Sequence, residues 1–119
     1  MKDEYAKFCI DAGNQLYEQG NFSEAEQCYH KMIALDSANA KAYNNLGSVY
    51  AQQRKYTLAR TMFDKAITID SNYADAYYNL GNSIIDQGKQ QEGLRFIIHA
   101  AKLGNGRARQ ILESQGVIW

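Results

Sequence analysis

Proline is absent from this chain of 119 residues, and cysteine occurs only twice. Without proline, the links between secondary-structure elements must be held by capping side chains and packing alone. The two cysteines, Cys9 and Cys28, belong to no CxxC pattern, and the sequence has no HxxxH pattern. Because metal sites and disulfides both need a matched set of partners, we expect two buried or half-buried free thiols and no bound metal or cofactor.

Long apolar runs and excess charge of one sign are also missing. The apolar runs are far shorter than the roughly 20 residues that cross a bilayer, and the first residues show no apolar signal-peptide core. Thirteen basic and thirteen acidic residues leave no net charge that would attract nucleic acid or an anionic membrane. We therefore expect a soluble cytoplasmic protein that binds neither nucleic acid nor a membrane.

Catalytic constellations are missing as well. His30 and His99 have no serine or cysteine nucleophile at a spacing that would converge on them. Asp11, Asp75 and Asp86 could be imagined as paired carboxylates, but they have no accompanying sign of a cleft. No glycine-rich phosphate loop follows a predicted strand. The chain is accordingly predicted not to be an enzyme.

The sequence does contain a repeat. Gly13, Gly47 and Gly81 are 34 residues apart, and so are Asp36 and Asp70, each of which closes an aliphatic run. A period of this length is typical of a solenoid of stacked helical hairpins.

Residues 40–70 show why such hairpins must stack. Two stripes of apolar residues at helical spacing predict two packed helices, and further apolar side chains are left over that one hairpin cannot hide. The two stripes are Ala42, Leu46 and Tyr50, then Ala59, Phe63, Ala66 and Ile67.

Residue by residue, the pattern resembles the tetratricopeptide repeat (TPR) family. In the first helix of each hairpin, helix A, the family usually has an aromatic residue, Leu-Gly and a second aromatic residue. In the second helix, helix B, it usually has alanine, an aromatic residue and alanine. Repeat 3 has Gly93 and Ile97 where alanine and an aromatic are usual, and repeat 1 diverges most. Repeat 2 supplies all seven of these residues: Tyr43, Leu46, Gly47, Tyr50, Ala59, Phe63 and Ala66.

The resemblance implies an all-α fold, a right-handed superhelix of three hairpins with a C-terminal capping helix. We expect one domain over residues 1–119. Its predicted parts are repeat 1 at about 6–39, repeat 2 at about 40–73, repeat 3 at about 74–107 and the capping helix at about 107–115.

Several turn and cap residues can be predicted locally. Ser23 followed by Glu26 has the spacing of a capping box, and Asn39 and Thr57 are expected to cap the helices that follow them. Arg54 stands in the turn where repeats 1 and 3 have glycine, so it should either be left-handed or belong to a turn of another shape.

The TPR resemblance also implies a concave surface lined by the A helices, where an extended peptide would bind. The lining is expected to be mildly acidic. Asn45 and Asn79, one repeat apart, could each bond a peptide backbone. This arrangement resembles the asparagine ladder of O-linked N-acetylglucosamine transferases. Alternatively, the two asparagines could simply belong to a solvated surface. The predicted groove residues are Asn14, Tyr17, Lys41, Asn44, Asn45, Ser48, Asp75, Tyr78, Asn79, Asn82 and Asp86.

One well-known TPR site is incomplete. The carboxylate clamp for the EEVD tails of heat-shock chaperones needs two asparagines, which Asn14 and Asn45 match, and three basic residues. Ile10, Asp75 and Asn79 stand at those three positions. The chain is therefore predicted not to bind EEVD tails.

Three functions follow from these observations. The first is a non-catalytic interaction module, a scaffold or adaptor that binds a protein or peptide partner as a monomer or weak homo-oligomer. The second is the substrate-recruiting or regulatory part of a larger enzyme such as a glycosyltransferase. The third is a self-assembling module that uses the apolar tail, residues 117–119, which could otherwise fold back on the capping helix.

Overall fold

The computed structural model describes residues 2–119 as a stack of α-helices joined by short turns. Three hairpins follow one another, each with an A helix and a B helix, and a final helix covers the last hairpin. The all-α repeat fold predicted from the sequence is confirmed. The helices are α1 (Lys2–Glu18), α2 (Phe22–Leu35), α3 (Ala40–Gln52), α4 (Tyr56–Ile69), α5 (Ala74–Asp86), α6 (Gln90–Lys102) and α7 (Gly106–Ser114).

Within each hairpin the A helix approaches the B helix closely at a glycine. A Cβ built on Gly47 would lie 2.6 Å from Cε1 of Phe63, which is fully buried. A side chain at this position would push the two helices apart. The same contact recurs in the neighbouring hairpins, between Gly13 and Tyr29 and between Gly81 and Ile97.

Between hairpins, a fully buried alanine in the first turn of each later A helix packs against the preceding B helix. The small side chain lets the two helices approach closely. The pairs are Ala42 with Met32, Ala76 with Ala66, and Ala108 with Ala101.

Two of the predicted local features are confirmed. Oδ1 of Asn39 accepts the backbone N–H of Ala42 at 3.0 Å and so caps α3. Arg54 has φ of 60° and is therefore left-handed, like Gly20 and Gly88 in the equivalent turns.

The capping predictions for the B helices are wrong. The helix α2 begins at Phe22, so Ser23 lies inside it, and Thr57 lies inside α4 in the same way. The turn decides this, because the N–H of Asn21 bonds the carbonyl of Leu16 at 2.8 Å and holds the chain so that the next residue is helical. Repeat 2 has the equivalent bond, from the N–H of Lys55 to the carbonyl of Tyr50 at 2.9 Å.

Both cysteines are free, as predicted. Cys9 is buried and Cys28 is half-buried. Burial raises the pKa of the Cys28 thiol. Within residues 2–119, no helix is both long and apolar enough to cross a membrane.

The end of the chain folds back on α7, except for one residue. The N–H of Val117 bonds the carbonyl of Leu112 at 2.9 Å, and the Val117 side chain packs against the last hydrophobic cluster. The guanidinium of Arg109 lies 5.2 Å from the ring centre of Trp119. Ile118 is 98% exposed, so the predicted fold-back covers only part of the tail, and self-association through the tail stays a prediction.

Candidate functional site

Three depressions lie along the A-helix face and have volumes of about 490, 470 and 240 Å³. Tyr17 and Ser48 line both the first and the third. Asn79 lines the first and the second, and Asn45 lines the second and the third. Because the depressions share walls, they form one continuous trough across α1, α3 and α5, called the groove below.

Most of the residues predicted for the groove do line it. Lys41 is the exception: it is exposed on α3 and lines none of the three depressions. The ones that line the groove are Asn14, Tyr17, Asn44, Asn45, Ser48, Asp75, Tyr78, Asn79, Asn82 and Asp86.

Amide side chains join each A helix to the next. Between α1 and α3, Nδ2 of Asn45 donates to Oδ1 of Asn14 at 3.2 Å. Between α3 and α5, Nδ2 of Asn79 donates to Oδ1 of Asn44 at 3.1 Å. The Tyr29 hydroxyl also donates to Asn14, and burial raises the pKa of Tyr29, which keeps the hydroxyl protonated as a donor.

The series continues at the capping helix. Nδ2 of Asn105 donates to Oδ1 of Asp75 at 2.8 Å, which joins α7 to α5. Oδ1 of Asn105 accepts the N–H of Ala108 at 2.8 Å and caps α7 at the same time. These three side-chain bonds, one between each pair of successive A helices, are called the amide ladder below. The ladder holds the spacing of the helices that line the groove.

The ladder leaves part of the Asn45 and Asn79 side chains free for a ligand. Asn45 and Asn79 each donate one N–H to the ladder, so an Oδ1 acceptor and a second N–H remain on each side chain. Asn44 is 5% exposed and lies mostly below the surface. Asn82 lines the groove and takes part in no ladder bond.

Several residues that line the groove are outside the set predicted from the sequence. Arg54 reaches the groove from the turn between α3 and α4, and Tyr56 reaches it from the start of α4, whereas the prediction considered A helices alone. Asn105 and Arg107 come from α7, which could have been found by treating the capping helix as a further A helix. Ser83 lies on α5 at a repeat position that is normally assigned to the core.

The groove has a small excess of negative charge, as the sequence suggested. Among residues 3–119 the one ion pair joins Arg60 to Glu92 at 2.8 Å, between α4 and α6, so the charges of the groove are unpaired. The charged residues that line the groove are Glu18, Asp75 and Asp86, with Arg54 and Arg107.

Comparison with known families identifies the class of protein. The family model of the TPR repeat matches residues 13–54 and 48–88. The chain therefore belongs to the TPR repeat family. Among curated protein sequences, none matches this chain.

Solved structures with the same fold include complete TPR domains and one larger enzyme. The Arabidopsis OM64 TPR domain is similar with a TM-score of 0.85 and 24% identity, over 97% of this chain and 96% of that chain. The second TPR domain of human RPAP3, solved in complex with the HSP70 peptide SGPTIEEVD, has a TM-score of 0.80 and 28% identity, over 96% and 97%. A mutant of the Thermobaculum terrenum O-GlcNAc transferase has a TM-score of 0.83 and 23% identity, over 87% of this chain and 20% of that chain.

Proposed function

We propose that this chain is a non-catalytic interaction module, a scaffold or adaptor that binds an extended segment of a partner protein in the groove. The observation that carries the proposal is the continuous groove, where Asn45 and Asn79 stand one repeat apart with acceptors to spare. The similar RPAP3 domain was solved with a peptide, which supports this class of ligand.

The chemistry of the groove suits a peptide backbone. A carboxamide offers both a donor and an acceptor, so Asn45, Asn79 and Asn82 can bond successive peptide groups without reading the side chains. Tyr17 and Tyr78 add half-buried aromatic surface beside them. Because a flexible segment loses conformational entropy on binding, we expect an affinity of about micromolar.

The test uses a random linear peptide library displayed on phage, selected on the wild-type protein, followed by calorimetry with an enriched peptide. Asn82→Ala should weaken binding about fivefold, since one net hydrogen bond is lost outside the ladder. Asn45→Ala combined with Asn79→Ala should weaken binding further, while helical circular dichroism stays unchanged. Gln27→Ala, which removes an exposed amide from α2, is the matched control.

Two outcomes would contradict the proposal. One is that no peptide is enriched on the wild-type protein. The other is that the groove variants bind the enriched peptide as tightly as the Gln27→Ala control does.

We propose further that the groove does not accept EEVD tails. A terminal carboxylate would meet the carboxylate of Asp75, and among the described residues Arg107 is the one cation lining that part of the groove. Ile10 and Asn79 add no positive charge at the other two clamp positions. Calorimetry with the peptide SGPTIEEVD, using the RPAP3 domain as positive control, should show no micromolar binding here, and binding at that strength would refute this prediction.

A further inference from the structure

The largest of the three depressions lies where the helices α3 and α5 end, and it is called the terminal cavity below. It has a volume of about 490 Å³, ample room for one long side chain of a bound segment. Its walls combine aromatic rings, amides and one charge of each sign. The lining residues that the argument uses are Tyr17, Gln52, Arg54, Ser83 and Asp86.

A buried hydroxyl in the terminal cavity has no partner. Ser83 is 2% exposed, and its Oγ makes no hydrogen bond within the described part of the chain. One repeat earlier, the equivalent residue is Val49, which is fully buried and apolar. A buried polar atom that stays unpaired lowers stability, so a ligand group that bonds this hydroxyl would remove that penalty.

The ends of two helices make the cavity favourable for positive charge. Gln52 and Asp86 are the last residues of α3 and α5, where the helix dipole places partial negative charge. Neither helix has a basic residue in its last turn. The exposed Asp86 carboxylate takes part in no ion pair among residues 3–119.

The opposing charge belongs to an exposed side chain in a turn. Arg54 is exposed and belongs to the turn after α3, so its long side chain can swing into solvent at small cost. The Asp86 carboxylate and the two helix ends, by contrast, are attached to regular helices. A cationic ligand would therefore displace the guanidinium of Arg54 and keep the fixed negative groups.

We infer that the terminal cavity is a subsite for a lysine or arginine side chain of the bound segment. The charged group donates to the Asp86 carboxylate and to Oγ of Ser83, which belong to residues three apart on α5 that both line the cavity. Its aliphatic stem lies against the ring of Tyr17. This inference rests on the proposed function and adds a preference for one class of side chain to it.

The test repeats the phage selection on the wild-type protein and on three variants. The wild type and Asp64→Asn should enrich peptides with lysine or arginine at one fixed position, whereas Asp86→Asn and Ser83→Ala should lose that preference. Asp64→Asn makes the same change of charge on the exposed side of α4, outside the groove, and is the matched control. Ser83→Ala removes an unpaired hydroxyl, so it should be at least as stable as the wild type in thermal unfolding, and its effect cannot be attributed to misfolding.

Calorimetry with one enriched peptide completes the test. Replacing its basic residue by norleucine should weaken binding to the wild type about tenfold, because charge-assisted hydrogen bonds are lost. The same replacement should matter little for Asp86→Asn. Arg54→Ala should bind the basic peptide more tightly than the wild type.

The outcomes separate this inference from the proposed function. Enriched peptides without a basic position, or with an acidic one, would overturn the subsite and leave peptide binding in the groove standing. A basic position that survives both Asp86→Asn and Ser83→Ala would also overturn the subsite. If no peptide is enriched, both proposals fail together.

Discussion

Gly93 is predicted to resist replacement by alanine, although alanine is the usual residue at its repeat position. A Cβ built on Gly93 would lie 2.7 Å from the carbonyl oxygen of Gly81 and 3.1 Å from the backbone nitrogen of Ile85. In the reverse direction, a Cβ on Gly81 would lie 2.9 Å from the carbonyl oxygen of Gly93. The nearest obstacle to the Gly93 Cβ is Cγ1 of Ile85 at 2.5 Å, which a side-chain rotation could move. No side-chain rotation relieves the two backbone obstacles, so α5 and α6 would have to separate.

The magnitude follows from two opposing terms. Alanine gains about 1 kcal/mol of helix propensity over glycine, whereas overpacking a tight contact costs about 3 kcal/mol at the upper end of its usual range. The net loss of unfolding free energy for Gly93→Ala is therefore about 2 kcal/mol, which lowers Tm by about 8 °C in a domain of this size.

Thermal and urea unfolding followed by circular dichroism at 222 nm would measure this effect. Gly106→Ala is the control, because a Cβ there meets nothing within 4 Å and the residue has no positive φ. That control should match the wild type or slightly exceed it. If Gly93→Ala is as stable as Gly106→Ala, then the close backbone contact is not what requires glycine.

Two further predictions concern stability. Arg54→Gly should raise the unfolding free energy by about 0.5–1 kcal/mol in urea unfolding, because relief of the left-handed strain at φ of 60° outweighs the greater flexibility of the unfolded chain. Arg54→Ala keeps the strain and should show no gain. An equal gain in Arg54→Ala would refute the explanation. Burial raises the pKa of Tyr29 above its unfolded value of about 10. The contribution of the protonated Tyr29 hydroxyl to the unfolding free energy is therefore complete below that pH, and it is lost as the pH rises toward the folded pKa. Urea midpoints measured between about pH 8 and pH 11.5 should therefore fall at the alkaline end, less steeply in Tyr29→Phe, and parallel curves for the two proteins would contradict this.

Local patterns in the sequence were enough to predict stacked helical hairpins, and the resemblance to the TPR family implied which face carries the groove. Helical spacing of apolar residues and the interval of 34 residues between Gly13, Gly47 and Gly81 depend on neighbours along the chain, and the fold predicted from them is confirmed. Asn39 as a cap and Arg54 as a left-handed residue are local in the same sense.

The tertiary structure alone decided which groups meet across the hairpins. Asn79 bonds Asn44, 35 residues earlier, because the twist between successive hairpins places those two amides opposite each other, and no one-dimensional period contains that twist. The same geometry brings the backbone of Gly93 against Gly81 and leaves Ser83 buried without a partner. A repeat in sequence determines which side of each helix faces inward, whereas contacts between helices depend on how far and at what angle the hairpins are rotated, and packing of the whole stack sets that rotation.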